Sequence, residues 1–114
     1  EQDPTIANNV LMLTPFSADN PAENVQSFVK KYQEAYGATP DQFAADAYDA
    51  IYVIKAAVEK AGSTSGAALA SALTSLTVEG VTGIMTWTAD GNTNKPASAI
   101  LYYDGVGTLF DSQD

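Results

Sequence analysis

The sequence predicts an α/β fold in which one strand is followed by three helices and then by two or three strands. A short apolar run in VLMLTPF is bounded by Asn9 and Pro15, and its length and flanks favour a buried strand. Three segments with apolar residues at helical spacing follow it, and after Leu76 the sequence contains glycines and β-prone residues. The N-terminal strand and the C-terminal strands would have to share a sheet, so this order indicates a piece of a larger protein.

The first predicted helix lies in SADNPAENVQSFVKKYQEAYG. Asn20 is its predicted cap, Pro21 is its first helical residue, and Gly37 is its stop. The apolar face of this helix is predicted to consist of Val25, Phe28, Val29, Tyr32 and Tyr36.

The second predicted helix is PDQFAADAYDAIYVIKAAVEKAG, with Thr39 as cap, Pro40 as first residue, Gln42 as capping-box partner and Gly62 as stop. Its predicted core face comprises Phe43, Ala44, Ala47, Tyr48, Ile51, Ile54 and Val58. A third, shorter helix is predicted in STSGAALASALTSL, with inward residues at Ala68, Leu69, Ala72, Leu73 and Leu76.

The C-terminal part predicts short strands separated by turns. The first β-prone segment is VEGVTGIMTWT, which precedes the turn signal ADGN. The next predicted strand is SAILYYDG, closed by Asp104 and Gly105, and the last short strand is VGTLF. TADGNTN begins like a calcium loop, but it lacks the glycine and the glutamate that such a loop needs further on. A turn is therefore the predicted structure.

The composition of the chain excludes several classes of function. Fourteen Asp and Glu residues face five Lys, no Arg is present, and the formal net charge is −9, so the basic surface that nucleic acids require is missing. The chain has no cysteine and no histidine, which removes disulfides, thiolate nucleophiles and the usual general base near neutral pH. We therefore expect a protein that is not an enzyme, carries no cofactor or metal, and binds no nucleic acid.

Two features of the second helix are candidates for function. Asp46 and Asp49 are three residues apart, and paired carboxylates can perform acid–base catalysis, although on an exposed face they are usually only solvated. Phe43 lies in the first turn near a proline. There a large aromatic side chain either projects past the helix end or packs into the core as a staple.

The segments together resemble one family over nearly the whole chain, from about Val10 to Gly105. Three motifs are similar to those of branched-chain amino acid ABC transporter substrate-binding proteins of the leucine/isoleucine/valine-binding type. In chain order they are YG-x-x-P-x-x-F-x-A-x-A-YDA, G-x-x-G-x-x-x-W-x-x-x-G and ILYYDG. The resemblance implies the type I periplasmic binding protein fold, in which two Rossmann-like lobes close on a solute like a clamp. A complete member is much longer, so this chain resembles its C-terminal part.

The resemblance also implies the organisation and the site of this piece. Residues 1–114 form a single C-terminal fragment. In it, residues 10–76 supply a strand and three helices of one lobe, and residues 77–114 supply strands that cross the hinge toward the other lobe. Phe43 matches the position at which this family places an aromatic side chain over the ligand, and Asp46, one turn further on, is the second candidate ligand-binding residue.

The implied function is that of the extracytoplasmic solute-binding component of an ABC importer, located in the periplasm or, in a Gram-positive organism, on the cell surface as a lipoprotein. It would bind an amino acid or a similar small solute and deliver it to a membrane permease. The piece alone would lack most of the cleft, and its truncated edges predict self-association or strand exchange. A sensor or receptor domain of the same fold is the alternative function, and a hydrolase that uses Asp46 and Asp49 is a third hypothesis.

Overall fold

The structure, a computed structural model, describes residues 3–112, and within them no helix is long and apolar enough to cross a membrane. After a short 3₁₀ helix at Pro4–Ala7, the elements in chain order are β1 (Leu11–Thr14), α1 (Glu23–Tyr36), α2 (Gln42–Ala61), α3 (Gly66–Leu73), β2 (Thr77–Gly80), β3 (Gly83–Trp87), β4 (Thr93–Asn94), β5 (Ser98–Tyr103) and β6 (Val106–Ser112). The predicted α/β order of one strand, three helices and then strands is confirmed. Five strands follow the helices in this part of the chain rather than two or three, because VEGVTGIMTWT folds back on itself as a hairpin and β4 is an additional short strand.

The described residues form two compact units. The first contains the residues up to Gln42 together with those from Pro96 onward, and the second is Phe43–Lys95. The first unit contains an antiparallel sheet in the order β1–β5–β6, so the N-terminal and C-terminal strands share a sheet, as predicted. The prediction of a buried strand is wrong for β1, because it is an edge strand whose Leu11, Met12 and Leu13 are exposed. The division into lobes at residues 10–76 and 77–114 stays a prediction.

Helix α1 contributes one apolar face to the first unit. Val25, Phe28 and Val29 are buried, as predicted, and the Phe28 ring lies edge-on to Phe16 with 5.8 Å between the ring centroids. Gly37, with a φ of +68°, ends the helix as predicted. The remaining residues of the predicted face are half-buried Tyr32 and exposed Tyr36.

The start of α1 differs from the predicted one. The helix begins at Glu23, and Ala22 occupies the cap position without a side-chain hydrogen bond. Asn20 Oδ1 instead accepts a hydrogen bond from the N–H of Ala22, and Gln26 Nε2 donates to the carbonyl oxygen of Asn20 at 2.6 Å. These polar groups hold the turn that precedes the helix, and Pro21 therefore lies in that turn and not in the helix.

Helix α2 begins at Gln42 rather than at Pro40. Thr39 Oγ1 accepts a hydrogen bond from Gln33 Nε2 at 3.2 Å, and Gln42 Oε1 accepts one from Thr14 Oγ1 at 2.9 Å. The two side chains of the predicted capping box are thus bonded to other residues, which explains why the helix starts later than the sequence pattern indicates.

The buried side of α2 is not the predicted one. It consists of Ala45, Asp49 and Ala57. Four residues of the predicted core face are exposed, so for them the prediction is wrong: Phe43, Ala47, Ile51 and Ile54. The reason is that α2 is apolar on two opposite sides, and the side that carries small alanine side chains lets the helix backbone approach the rest of the second unit closely.

The other elements of the second unit follow the predicted signals. Ser65 Oγ accepts a hydrogen bond from the N–H of Ala68 at 3.4 Å and caps α3, whose Ala72 is buried. Strands β2, β3 and β4 form an antiparallel sheet in that order. At the ADGN segment, the N–H of Thr88 donates to the carbonyl oxygen of Asn92 at 2.9 Å, which confirms the predicted turn.

Candidate functional site

Phe43 is the second residue of α2 and lies in its first turn. Its side chain is 78% exposed, so among the described residues it does not serve as a core staple. A phenyl ring left in water at a helix end presents an apolar surface that a ligand or another part of a protein can cover. The structure therefore favours the projecting arrangement over core packing.

Asp46 lies three residues after Phe43, and side chains with this spacing are neighbours on a helix surface. Its Oδ1 is 2.5 Å from Nζ of Lys95, the residue that follows β4, and the two side chains are only 35% and 25% exposed. The contact is a charge-assisted hydrogen bond. Asp46 thus has a cationic partner, and the ammonium group of a ligand would have to share the carboxylate with Lys95 or replace it.

Asp49 is almost fully buried and holds the turn between β2 and β3. Its Oδ1 accepts the N–H of Val81 at 2.9 Å, and its Oδ2 accepts the N–H of Thr82 at 2.9 Å and the hydroxyl of Thr82 at 2.6 Å. A carboxylate that is removed from water needs such donors, because an unpaired buried charge is strongly destabilising. Asp49 therefore ties α2 to the β2–β3 hairpin.

The two glycines of GVTG make this arrangement possible. A Cβ at position 80 would collide with the Asp49 carboxylate, so Gly80 allows the close approach of the two chain segments. Gly83 has a φ of +103°, a conformation that side chains rarely adopt. GVTG is thus a hairpin turn that is shaped to receive a carboxylate.

These contacts give the two carboxylates of α2 different roles. Both oxygens of Asp49 accept hydrogen bonds from the turn, and Asp46 is paired with Lys95. An acid–base pair needs both groups to reach a substrate. The hypothesis of a hydrolase that uses Asp46 and Asp49 is not supported, because Asp49 is sequestered.

Tyr48 and Tyr52 form a hydrogen-bonded pair on α2. Their hydroxyl oxygens are 3.3 Å apart and their ring centroids 4.9 Å apart. The hydrogen bond with Tyr52, together with partial burial, raises the pKa of Tyr48 to about 12. The Tyr48 phenol is therefore protonated at neutral pH and adds no charge to the site.

Two parts of this site escaped prediction from the sequence. Lys95 is 49 residues from Asp46 along the chain, and no local pattern connects them. One signal in the sequence could have indicated the role of Asp49. Two glycines are spaced for a two-residue hairpin turn, and an acidic residue lies among alanines on a helix. Within residues 3–112, no group of three or more His, Cys, Asp or Glu side chains is arranged to hold a metal ion.

Residues 2–106 match the family model described as periplasmic binding protein. The chain belongs to this family. The family and its structural neighbours are binding proteins rather than enzymes. No curated protein matches the sequence.

Several solved structures of ABC transporter solute-binding proteins are similar to the chain. A substrate-binding protein from Desulfitobacterium hafniense, in complex with Leu, is 29% identical with a TM-score of 0.84, over 91% of this chain and 32% of its own. The branched-chain amino acid transporter substrate binding protein from Streptococcus pneumoniae, in complex with isoleucine, is 26% identical with a TM-score of 0.77, over 95% and 32%. A leucine binding protein from Thermotoga maritima is 27% identical with a TM-score of 0.74, over 90% and 30%. The resemblance to the branched-chain amino acid proteins and the type I fold are thereby confirmed, and the chain spans about a third of the length of these relatives.

Proposed function

We propose that these residues are the C-terminal part of an extracytoplasmic solute-binding protein that delivers an amino acid or a similar small solute to the permease of an ABC importer. The observation that carries the proposal is the exposed Phe43 ring in the first turn of α2, in a chain of the periplasmic binding protein family. The complete protein would enclose the solute between two lobes, and the permease would recognise the closed form.

Phe43 and Asp46 are the proposed ligand-binding residues. The phenyl ring would cover the aliphatic side chain of the solute and remove apolar surface from water, which stabilises the complex. Asp46 would attract the ammonium group, with Lys95 limiting how much of the negative charge is available. Leucine and isoleucine in the Desulfitobacterium and Streptococcus structures support a branched aliphatic amino acid as the solute.

The location follows from the proposed role. Importer proteins of this kind work outside the cytoplasmic membrane, so we propose the periplasm or, in a Gram-positive organism, the cell surface with a lipid anchor. Membership of the periplasmic binding protein family supports the extracytoplasmic location. The proposed partner is the permease of the same importer.

Calorimetric titration of the complete polypeptide with leucine, isoleucine and valine tests this function. Micromolar binding is expected, and Phe43→Ala should weaken it roughly ten- to a hundredfold, because the apolar cover of the solute is lost. Tyr36→Ala removes another exposed aromatic ring and should leave the affinity unchanged. Absence of amino-acid binding by the complete polypeptide would contradict the proposal, as would micromolar binding by residues 1–114 alone.

We further propose that residues 1–114 alone self-associate through β1. This strand lies at one edge of the sheet β1–β5–β6, and its residues Leu11, Met12 and Leu13 are exposed. An apolar edge strand offers unpaired backbone groups to a strand of another chain. Sedimentation should show association that rises with concentration and that Leu13→Lys suppresses. A chain that remains monomeric at high concentration would exclude this proposal.

A further inference from the structure

The ion pair between Asp46 and Lys95 differs from an ordinary surface ion pair. Asp46 lies on α2 and Lys95 follows β4, so the pair joins two elements that are distant along the chain. The pair between Lys55 and Glu59, in contrast, joins neighbours on α2, and its side chains are 65% and 63% exposed. The side chains of Asp46 and Lys95 are only 35% and 25% exposed. Water and salt therefore screen the charges of Asp46 and Lys95 less than those of the exposed pair.

This pair sets the charge of the candidate site. Phe43 is apolar, and Asp46 and Lys95 carry opposite charges, so the three side chains together have no net charge. The chain as a whole has a formal net charge of −9, and a field of this sign attracts cations to the protein. Lys95 thus supplies a local positive charge within a chain whose overall field favours positively charged solutes.

A zwitterionic amino acid and a simple amine would change this charge balance in different ways. The ammonium group of an amino acid would contact Asp46, and its carboxylate, which is bonded to the same carbon atom, would meet the ammonium group of Lys95. Each charge would then keep an opposite partner. An amine without the carboxylate would bring a second cation to Asp46 and leave the site with a net positive charge. Two like charges that share one partner repel each other, and they do so more strongly where water is partly excluded.

We propose that Lys95 is a specificity-determining residue that makes the site prefer zwitterionic amino acids to amines. The inference rests on the proposed function, in which Phe43 and Asp46 contact the solute. Lys95 neutralises Asp46 in the empty protein, opposes a solute with a net positive charge, and offers a partner to the carboxylate of an amino acid. A lysine that only supported the fold would not change the preference between two solutes.

Calorimetric titration of the complete polypeptide with leucine and with leucinamide tests the proposal. The two solutes have the same side chain and the same ammonium group at about pH 6, but leucinamide carries a neutral amide in place of the carboxylate. The wild type should bind leucine more tightly. Lys95→Met keeps an aliphatic side chain and removes the charge, so it should reduce the ratio of the two dissociation constants roughly three- to tenfold.

Two further substitutions serve as controls. Lys55→Met removes the lysine of the exposed pair on the same helix and should leave the ratio unchanged. Lys95→Arg keeps the positive charge and should retain most of the preference for leucine. If Lys95→Met prevents folding, Lys95→Gln provides the second neutral variant, because its amide can still donate a hydrogen bond to Asp46. The same reduction of the ratio is expected.

The outcomes separate this inference from the proposed function. Leucine binding with the same ratio in the wild type and in the neutral Lys95 variants would overturn the inference and leave the function intact. An equal change of the ratio in Lys55→Met would also overturn it, because the effect would then arise from the net charge of the protein. Absence of leucine binding by the wild type would contradict both the function and the inference.

Discussion

The two long helices of this chain bury their apolar residues in different ways. Helix α1 has one apolar face, where Val25, Phe28 and Val29 are buried, and its outer surface carries the charges of Lys30 and Glu34. Helix α2 buries small alanines and one aspartate, and exposes isoleucines on the opposite side. The single apolar face of α1 is covered by the described residues, whereas α2 has a second apolar side on which Ile51 and Ile54 stay exposed.

The largest expected effect concerns the polar contact that orients α2. Asp49→Ala removes the acceptor of three buried donors in the β2–β3 turn, which should lower the free energy of unfolding of the second unit by about 4–6 kcal/mol. Urea denaturation followed by the fluorescence of Trp87, the only tryptophan, measures it. A loss below about 1 kcal/mol would mean that the hydrogen bonds of Asp49 do not set the orientation of the helix.

The next effect compares the two helices directly. Phe28→Ala in α1 should cost about 3–5 kcal/mol in residues 1–114, because it leaves a cavity beside Phe16. Ile54→Ala in α2 should cost less than about 0.5 kcal/mol in the same chain, because its side chain is largely exposed. Urea denaturation followed by circular dichroism compares the two variants. Equal costs would show that Ile54 is already buried in this chain, and the contrast between the helices would fail.

A smaller effect tests the close approach of α2 to the hairpin. Gly80→Ala should cost about 1–3 kcal/mol, because the added methyl group meets the Asp49 carboxylate. In an Asp49→Ala background the same substitution should cost distinctly less, since the colliding group is gone. This double-mutant cycle is measured by urea denaturation. Additive costs would indicate that the glycine is required for its backbone conformation and not for the contact.

The smallest expected effect is a pH dependence in the first unit, which contains α1. Burial raises the pKa of Asp19, but hydrogen bonds from the hydroxyl of Ser17 and from the N–H of Leu109 outweigh it, and the pKa is lowered overall. A carboxyl whose pKa is lower in the folded state stabilises the fold above about pH 4 and loses this contribution as the pH falls through the folded pKa. Asp19→Asn should therefore lose less stability than the wild type between pH 5 and pH 2, by less than about 1 kcal/mol. Equal losses in thermal scans would show that the hydrogen bonds of Asp19 do not couple to folding.

The sequence was sufficient to predict the buried face and the end of α1, and most turns, for a simple physical reason. Val25, Phe28 and Val29 form one apolar face, so only one orientation of the helix buries it. The turn at Asp104 and Gly105 was predictable because both residues tolerate the positive φ that they adopt, +48° and +78°. These features depend on residues that are neighbours in the sequence, so the sequence predicts them.

The orientation of α2 was not predictable in the same way. Its two apolar sides compete, and the larger side chains of Ile51 and Ile54 made their side the expected core. The outcome depends on the hydrogen bonds of Asp49 to a hairpin more than 30 residues away along the chain. Such a contact between distant residues leaves no periodic pattern in the sequence.

The candidate site was predictable in part. The exposure of Phe43 agrees with its place in the first turn, and the family resemblance selected it as a ligand-binding residue. The partner of Asp46 was not predictable, because Lys95 lies in a loop segment without a motif. The ligand-binding roles of Phe43 and Asp46 remain predictions.

Carbene footprinting, which labels exposed side chains of every type, tests most directly whether α2 is an interior helix of a larger protein. Residues 1–114 alone and the complete polypeptide would be labelled under the same conditions and compared residue by residue. We expect Ile51 and Ile54 to be labelled in the short chain and protected in the complete polypeptide, while Lys30 on the outer surface of α1 is labelled equally in both. Equal labelling of Ile51 and Ile54 in the two proteins would contradict this conclusion.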